Sequence, residues 1–218
     1  MKDKMKTAVI LGGSGLVGSF LLDALLEDER IGEVHSFART ALDQENAKLS
    51  QHLGDLTNTD FWNLKLKADL LFVCIGTTKS KTPDPDLYFK IDHDIPVLAA
   101  EWAAKNGLSR FLLVSSLGAD PGARNSYLRI KGKMERDVRA AFPDTVAFRP
   151  SMILGPRKES RFLESIGKGL FKALGPLIPK AYQGVEAEDI ARAMLRISMA
   201  DKAPELVPSE DIRPIAKA

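Results

Sequence analysis

The stretch Thr7-Ala-Val-Ile-Leu11, Gly12-Gly-Ser-Gly-Leu-Val-Gly18, Ser19-Phe-Leu-Leu-Asp-Ala-Leu-Leu26 decides the fold. Its first run is short, β-branched and fully apolar, as a strand buried on both faces requires. Its last run carries helical periodicity. A strand, a glycine turn and a helix in that order is the context in which such a turn holds a dinucleotide. Glycine permits the tight turn and lets backbone amides approach a pyrophosphate, and the helix N-terminus faces the phosphates with its partial positive charge. The glycines fit two registers, Gly13-x-Gly15-x-x-Gly18 and Gly12-x-x-Gly15-x-x-Gly18, and the turn alone leaves both open.

Outward from this turn the chain alternates strand and helix. Strands are expected at Thr7–Leu11, about Glu33–Ala38, a weak one ending at His52-Leu53, Asp69–Ile75, Arg110–Ser115 and Thr145–Arg149. Helices are expected over Gly15–Glu27, Ser126–Ala141, Arg161–Leu174 and Glu186–Met199. A long helix from about Asp86 to Asn106 is expected to kink or restart at Pro96. Glu205–Ile215 reads as containing one more strand. This pattern predicts a doubly wound α/β fold, a parallel sheet with helices on both faces. At 218 residues the chain reads as one domain, with about 151–218 as a small appended substrate lobe too short for its own core.

Composition narrows the classes. A net charge of +2, with acids and bases interspersed, argues against a nucleic-acid surface. No apolar run approaches a membrane span. The single cysteine, Cys74, excludes a disulfide framework, reads as a small buried hydrophobe, and fits a reducing compartment. Met1–Lys6 is charged and lacks a small-residue cleavage site, so a cytoplasmic protein is expected. His35, His52 and His93 lack metal-ligand spacing, so no metal is expected. Asp92-His93-Asp94 reads as a set of helix-start residues favoured by the helix dipole, with the orienting of nearby backbone as the alternative.

A second signal lies downstream. Tyr127 and Lys131 stand four residues apart on a predicted helix and share a face. A phenol ionises near pH 10 and is a poor acid or base at neutral pH; an ammonium one turn away favours its phenolate form. Such a phenol can exchange a proton with a carbonyl oxygen or an alcohol. The pair follows a strand ending in Val114-Ser115-Ser116, and the carboxyl end of a parallel strand is where ligands sit in open α/β sheets.

These segments resemble the short-chain dehydrogenase/reductase superfamily, in particular its atypical NAD(P)H-binding branch, which includes Tat-interacting protein 30 and its bacterial relatives. The resemblance rests on Leu11–Gly18, Cys74-Ile-Gly-Thr-Thr78, Val114-Ser-Ser-Leu-Gly-Ala-Asp120, Tyr127-Leu-Arg-Ile-Lys-Gly132 and Phe148-Arg-Pro-Ser-Met-Ile-Leu154, in family order. It implies the register Gly12, Gly15, Gly18, with Ser14, Leu16 and Val17 completing the phosphate cradle. Tyr127 would be the acid/base and Lys131 its partner and a cofactor-ribose contact. Ser116, or alternatively Ser115, would hold the substrate oxygen. Asp55-Leu56 would meet the adenine, Ile75-Gly76 the adenine ribose, and Pro150 to Ile153 the nicotinamide. Arg157–Arg161 also matches that branch, which adds Arg161 to the cofactor contacts.

The cofactor is expected to be NADPH. Folds that select NAD place an acid at the end of strand two, roughly 20 residues past the turn. Here that position reads Ala38-Arg39-Thr40, and a guanidinium suits a 2′-phosphate. The sequence therefore supports a reductase of an unnamed small carbonyl or alcohol, with an NADPH-binding redox sensor as the alternative. The apolar set Phe162, Ile166, Leu170 and Phe171 would pack over the substrate or form a homo-oligomer contact.

Overall fold

The computed structural model describes residues 5–156 and 179–218. The helix expected over Arg161–Leu174, the call on Arg161 and the apolar set at Phe162 to Phe171 lie outside these residues.

Chain order runs β1 (Lys6–Leu11), α1 (Leu16–Glu27), β2 (Ile31–Ala38), β3 (Leu49–Leu53) and β4 (Leu70–Val73). It continues through α2 (Pro85–Phe89), a π-helical turn (Lys90–Asp94), α3 (Ile95–Lys105), β5 (Arg110–Val114), α4 (Ser126–Ala141) and β6 (Thr145–Arg149). The C-terminal elements are β7 (Ile153–Leu154), β8 (Val185–Glu186), α5 (Ala187–Ser198), β9 (Leu206–Pro208) and α6 (Ser209–Lys217). The main sheet has seven strands in the order β3-β2-β1-β4-β5-β6-β9, every adjacent pair parallel. β7 and β8 form a separate two-stranded ribbon.

Alternation along each strand divides the core in two. Ala8 and Ile10 of β1, Leu70 and Phe72 of β4, and Val146 and Phe148 of β6 face α1, α5 and α6. Val9 and Leu11, Leu71 and Val73, and Phe111 and Leu113 face α3 and α4, in a cluster that includes Phe37, Trp62 and Trp102. Each such side chain, taken fully out of water, contributes about 1.5–3 kcal/mol. This two-sided burial explains why the strands read as continuous apolar runs.

Residues Asp86–Asn106 form three pieces, with the π turn between two α segments, and the restart expected at Pro96 falls in the first turn of α3. The strand expected within Glu205–Ile215 is Leu206–Pro208; α6 follows at once and carries Pro214 inside it. The C-terminal elements also do more than form a lobe. β9 extends the main sheet beside β6, and Ile190, Ala191 and Met194 of α5 join the core cluster containing α1.

The turn after β1 is closed by backbone contacts that only glycine permits. Gly12 has φ +84°, and a Cβ there would lie 2.7 Å from the Cys74 carbonyl oxygen on β4's exit. A Cβ on Gly18 would lie 2.0 Å from the Gly12 carbonyl oxygen. The Gly15 amide donates to that same oxygen at 2.9 Å. Gly13 is different, since the nearest atom to a Cβ there is Leu42 Cδ1 at 3.4 Å. The geometry thus needs Gly12 and Gly18 for the turn itself. Gly18→Ala should lower the melting temperature by several degrees, although alanine ordinarily favours a helix interior by about 1 kcal/mol. Gly13→Ala should melt near the wild type. Equal melting temperatures for the two variants in thermal unfolding would refute this account of the turn.

Candidate active site at the carboxyl edge of the sheet

Because all seven strands run parallel, their carboxyl ends share one edge. Gly12 follows β1, Arg39 and Thr40 follow β2, Asp55 and Leu56 follow β3, Ile75 and Gly76 follow β4, Ser115 and Ser116 follow β5, and Pro150 follows β6. β1 and β4 are sheet neighbours from which the chain runs off in opposite directions, and the crevice at such a point is where open α/β sheets bind ligands.

Tyr127 and Lys131 are placed by the start of α4. Asn125 Oδ1 accepts from the amides of Tyr127 and Leu128 at 2.9 and 3.2 Å, which fixes Tyr127 in the first turn. Lys131 is buried, and its ammonium lies 2.8 Å from Asp92 Oδ1, an ion-pair contact without an aligned hydrogen bond. Both side chains are almost fully enclosed, at 5 % and 1 % exposure, so each charge depends on the other. Asp92 Oδ2 accepts from the Thr77 amide at 2.9 Å. Thr77 and Thr82 share a hydroxyl contact at 2.8 Å. Gly76 faces the pair, since a Cβ there would lie 3.5 Å from Asp92 Oδ1 and 3.7 Å from Lys131 Nζ. One carboxylate therefore ties the helix bearing Lys131 to the loop leaving β4.

The serines after β5 have separate surroundings. Ser115 is buried and donates a short hydrogen bond to Glu135 of α4. Glu135 in turn receives Arg149 through Nε and Nη2, at 2.9 and 2.7 Å. The Ser116 hydroxyl makes only a long contact, 3.4 Å, to the Leu117 carbonyl. Of the two hydroxyls, that of Ser116 is the one left for a ligand.

On the phosphate and adenine side, α1 begins at Gly15 with no side-chain cap and no acid in its first turn. The first-turn amides of a helix have no partner within it, and here nothing acidic competes for them. The residues fit a dinucleotide: a glycine-closed turn, uncapped amides and an exposed Arg39 at the end of β2. Asp55 Oδ1 accepts from the amide and hydroxyl of Thr57 at 2.9 and 2.8 Å. These bonds, the amide's foremost, hold its carboxyl below the usual range, with a smaller contribution from Arg39. The Leu56 side chain is buried in the core, and its carbonyl accepts from Trp62 Nε1 at 3.0 Å. Cys74 keeps some exposure as a residue, but burial pushes its thiol up to about 12, as expected of a small hydrophobe. Pro150 is buried, and Ile153 packs against the α1-side core.

Glu135 goes beyond the sequence reading, and so does the pairing of Asp92 with Lys131; the alternative reading of Asp92, that it orients nearby backbone, holds at the Thr77 amide. Asp92 is a buried counter-charge and not a helix-start acid. The available signal was its position among Phe89, Ile91 and Ile95, where a solvated acid has no place. His93 beside it bridges α4 and its own turn, with Nδ1 2.8 Å from Asp94 and Nε2 2.9 Å from Asp137.

Comparison with known proteins agrees with the fold. The profile of the NAD dependent epimerase/dehydratase family matches residues 8–207. "Protein FMP52, mitochondrial" of Candida glabrata is 32% identical over 173 residues, covering 78% of this chain and 72% of that protein. Its counterpart in Aspergillus clavatus is 30% identical over 211 residues, covering 89% and 88%. Among solved structures, the Bordetella bronchiseptica enzyme WbmH in complex with NAD+ superposes with TM-score 0.69 at 23% identity, over 89% of this chain and 72% of its own. Helicobacter pylori ADP-L-glycero-D-manno-heptose-6-epimerase gives 0.68 at 20% identity, over 100% and 84%. At these identities the structures speak for the fold alone. The relatives' names overturn the expectation of a cytoplasmic protein, since the similar chains are named mitochondrial.

The enclosed Lys131–Asp92 pair has a stability signature. Asp92→Ala strands a buried ammonium and should cost about 3–5 kcal/mol in urea unfolding. Asp92→Leu combined with Lys131→Met removes both charges and should recover most of that loss. A cost below about 1 kcal/mol for Asp92→Ala would mean that Lys131 finds other company, contrary to the mutual dependence of the pair.

Proposed function

The chain belongs to the NAD-dependent epimerase/dehydratase family, whose fold is of the short-chain dehydrogenase/reductase type, and on that premise we propose that it is an NADPH-dependent oxidoreductase acting on a carbonyl or alcohol. The observation that carries this reading is Tyr127 standing one turn before a lysine that a buried carboxylate holds in place. A protein that only senses a dinucleotide has no need of an acid/base phenol beside a fixed ammonium.

When bound, the nicotinamide supplies hydride to a carbonyl carbon or accepts it from an alcohol. The chain's own groups do the rest. Ser116 donates a hydrogen bond to the substrate oxygen and orients the carbonyl. Tyr127 passes its phenolic proton to that oxygen as negative charge develops there, completing the alcohol. Lys131 stabilises the phenolate left behind and also reaches a ribose hydroxyl. Asp92 keeps Lys131 in register with both. Gly12, Ser14, Gly15, Leu16, Val17 and Gly18 present the backbone that receives the pyrophosphate. In the reverse direction the phenolate takes the proton back.

The preference for NADPH rests on Arg39. It is exposed at the exit of β2, and among the described residues it makes no hydrogen bond or ion pair. A guanidinium there can meet a 2′-phosphate through two parallel hydrogen bonds. Asp55, Leu56, Ile75, Gly76, Pro150 and Ile153 would complete the adenine and nicotinamide ends.

Tyr127→Phe should abolish NADPH consumption across a panel of small ketones and aldehydes while leaving NADPH binding within about twofold, as followed by nicotinamide fluorescence. Retained turnover would remove Tyr127 from the mechanism, and tight NADPH binding with no consumption by the wild type would favour a sensing role. Arg39→Ala should weaken NADPH by about tenfold or more and leave NADH unchanged, the size expected of one charge-assisted contact. An equal effect on the two cofactors, or none, would remove the basis for the 2′-phosphate assignment.

A further inference from the structure

The Lys131–Asp92 contact joins two helical segments that run in the same direction. The segment α2–π turn–α3 follows β4, and α4 follows β5; each starts at the carboxyl edge of the sheet and runs back along it. Asp92 and Lys131 meet at 2.8 Å, so the residues one turn earlier on each segment are also neighbours, nearer the ligand edge. Those residues are Tyr88 and Tyr127.

Tyr88 is only 5 % exposed, yet among the described residues its hydroxyl has no hydrogen-bond partner, and neither has that of Tyr127. The ring of Tyr88 is enclosed while its hydroxyl keeps the residue's small exposure, so that hydroxyl is open to a ligand entering beside Tyr127. Burial first, then the charges of Asp92 and Tyr127, push the Tyr88 phenol up to about 12, so it stays a neutral hydroxyl across the physiological range.

We propose that Tyr88 is a substrate-binding residue that hydrogen-bonds a second oxygen function next to the reacting carbonyl, so that the preferred substrates are α-hydroxy carbonyl compounds. This rests on the reductase reading above and adds the substrate class to it. Tyr127 serves the reacting oxygen and Tyr88 the neighbouring hydroxyl, and the two phenols set the distance between the oxygens. The hydroxyl of Tyr88 neither gains nor loses a proton during turnover. A site that hydrogen-bonds a substrate hydroxyl discriminates against the analogue without it, because its own polar group is then left unpaired.

The test compares wild type and Tyr88→Phe with NADPH on 3-hydroxy-2-butanone and on 2-butanone, which lacks the hydroxyl. Wild type should favour the hydroxyketone. Tyr88→Phe should lower kcat/KM for it by about tenfold and alter the 2-butanone value less than twofold, the loss of one neutral hydrogen bond. A parallel fall on both ketones would mean that the phenol only packs, and no change on either would remove it from the site. Titration of the hydroxyketone into the NADP+-loaded protein by calorimetry separates this from the reductase reading. About tenfold weaker binding to Tyr88→Phe supports the contact even if no turnover occurs. Equal binding by the two proteins, or no binding by the wild type, overturns it.

Discussion

The fold depends on how closely α1 can approach β1. A buried strand ending at Leu11 must become a helix beginning at Leu16, and the first turn of that helix rests on the Gly12 carbonyl. No side chain fits at Gly18, where a Cβ would sit 2.0 Å from that oxygen. This contact aims the uncapped end of α1 over the carboxyl edge of the sheet. It also holds Gly12 against the Cys74 carbonyl, so the exits of β1 and β4 lie together. The glycine turn and the crevice are thus one consequence of a single backbone contact, and the parallel sheet then delivers every other strand exit to the same edge.

The carboxyl edge of the sheet carries a second constraint, the enclosed Lys131–Asp92 pair. Desolvating an ammonium and a carboxylate costs several kcal/mol per ion, and their attraction returns it only when the geometry is held. The π turn provides that hold by widening the helix at Asp92, and such turns are rare and concentrate at functional sites. A neutral polar partner would bond to Lys131 more weakly. The carboxylate also accepts the Thr77 amide, so the loop after β4 and the face of α4 cannot shift independently.

Much of this was legible in the residues. The glycine turn between an apolar run and an amphipathic one announced the parallel sheet, and the spacing of Tyr127 and Lys131 after Val114-Ser115-Ser116 announced that they share one helix behind β5. What escaped was whatever depends on contacts between distant segments. Asp92 and Lys131 are 39 positions apart, and nothing in either neighbourhood names the other. The π turn leaves no periodic trace over five residues. α6 has no clear signal in the sequence, because Pro214 lies inside it and proline is disfavoured in a helix interior. The compartment was illegible for another reason: a cysteine count and a short charged N-terminus describe a chain's chemistry, not its address.

The two serines after β5 show how tertiary neighbours sort residues that look alike in sequence. Both follow the end of β5, yet their hydroxyls have different partners. Ser115 turns toward α4, where Glu135 takes its proton donor and Arg149 balances the carboxylate. That arrangement satisfies a buried hydroxyl and pins β5, β6 and α4 together beneath the site. Ser116 is then the hydroxyl left without a strong protein partner, at the end of the strand that faces Tyr127's helix. The two serines are therefore distinguished by what Glu135 already holds, a contact made 20 positions downstream.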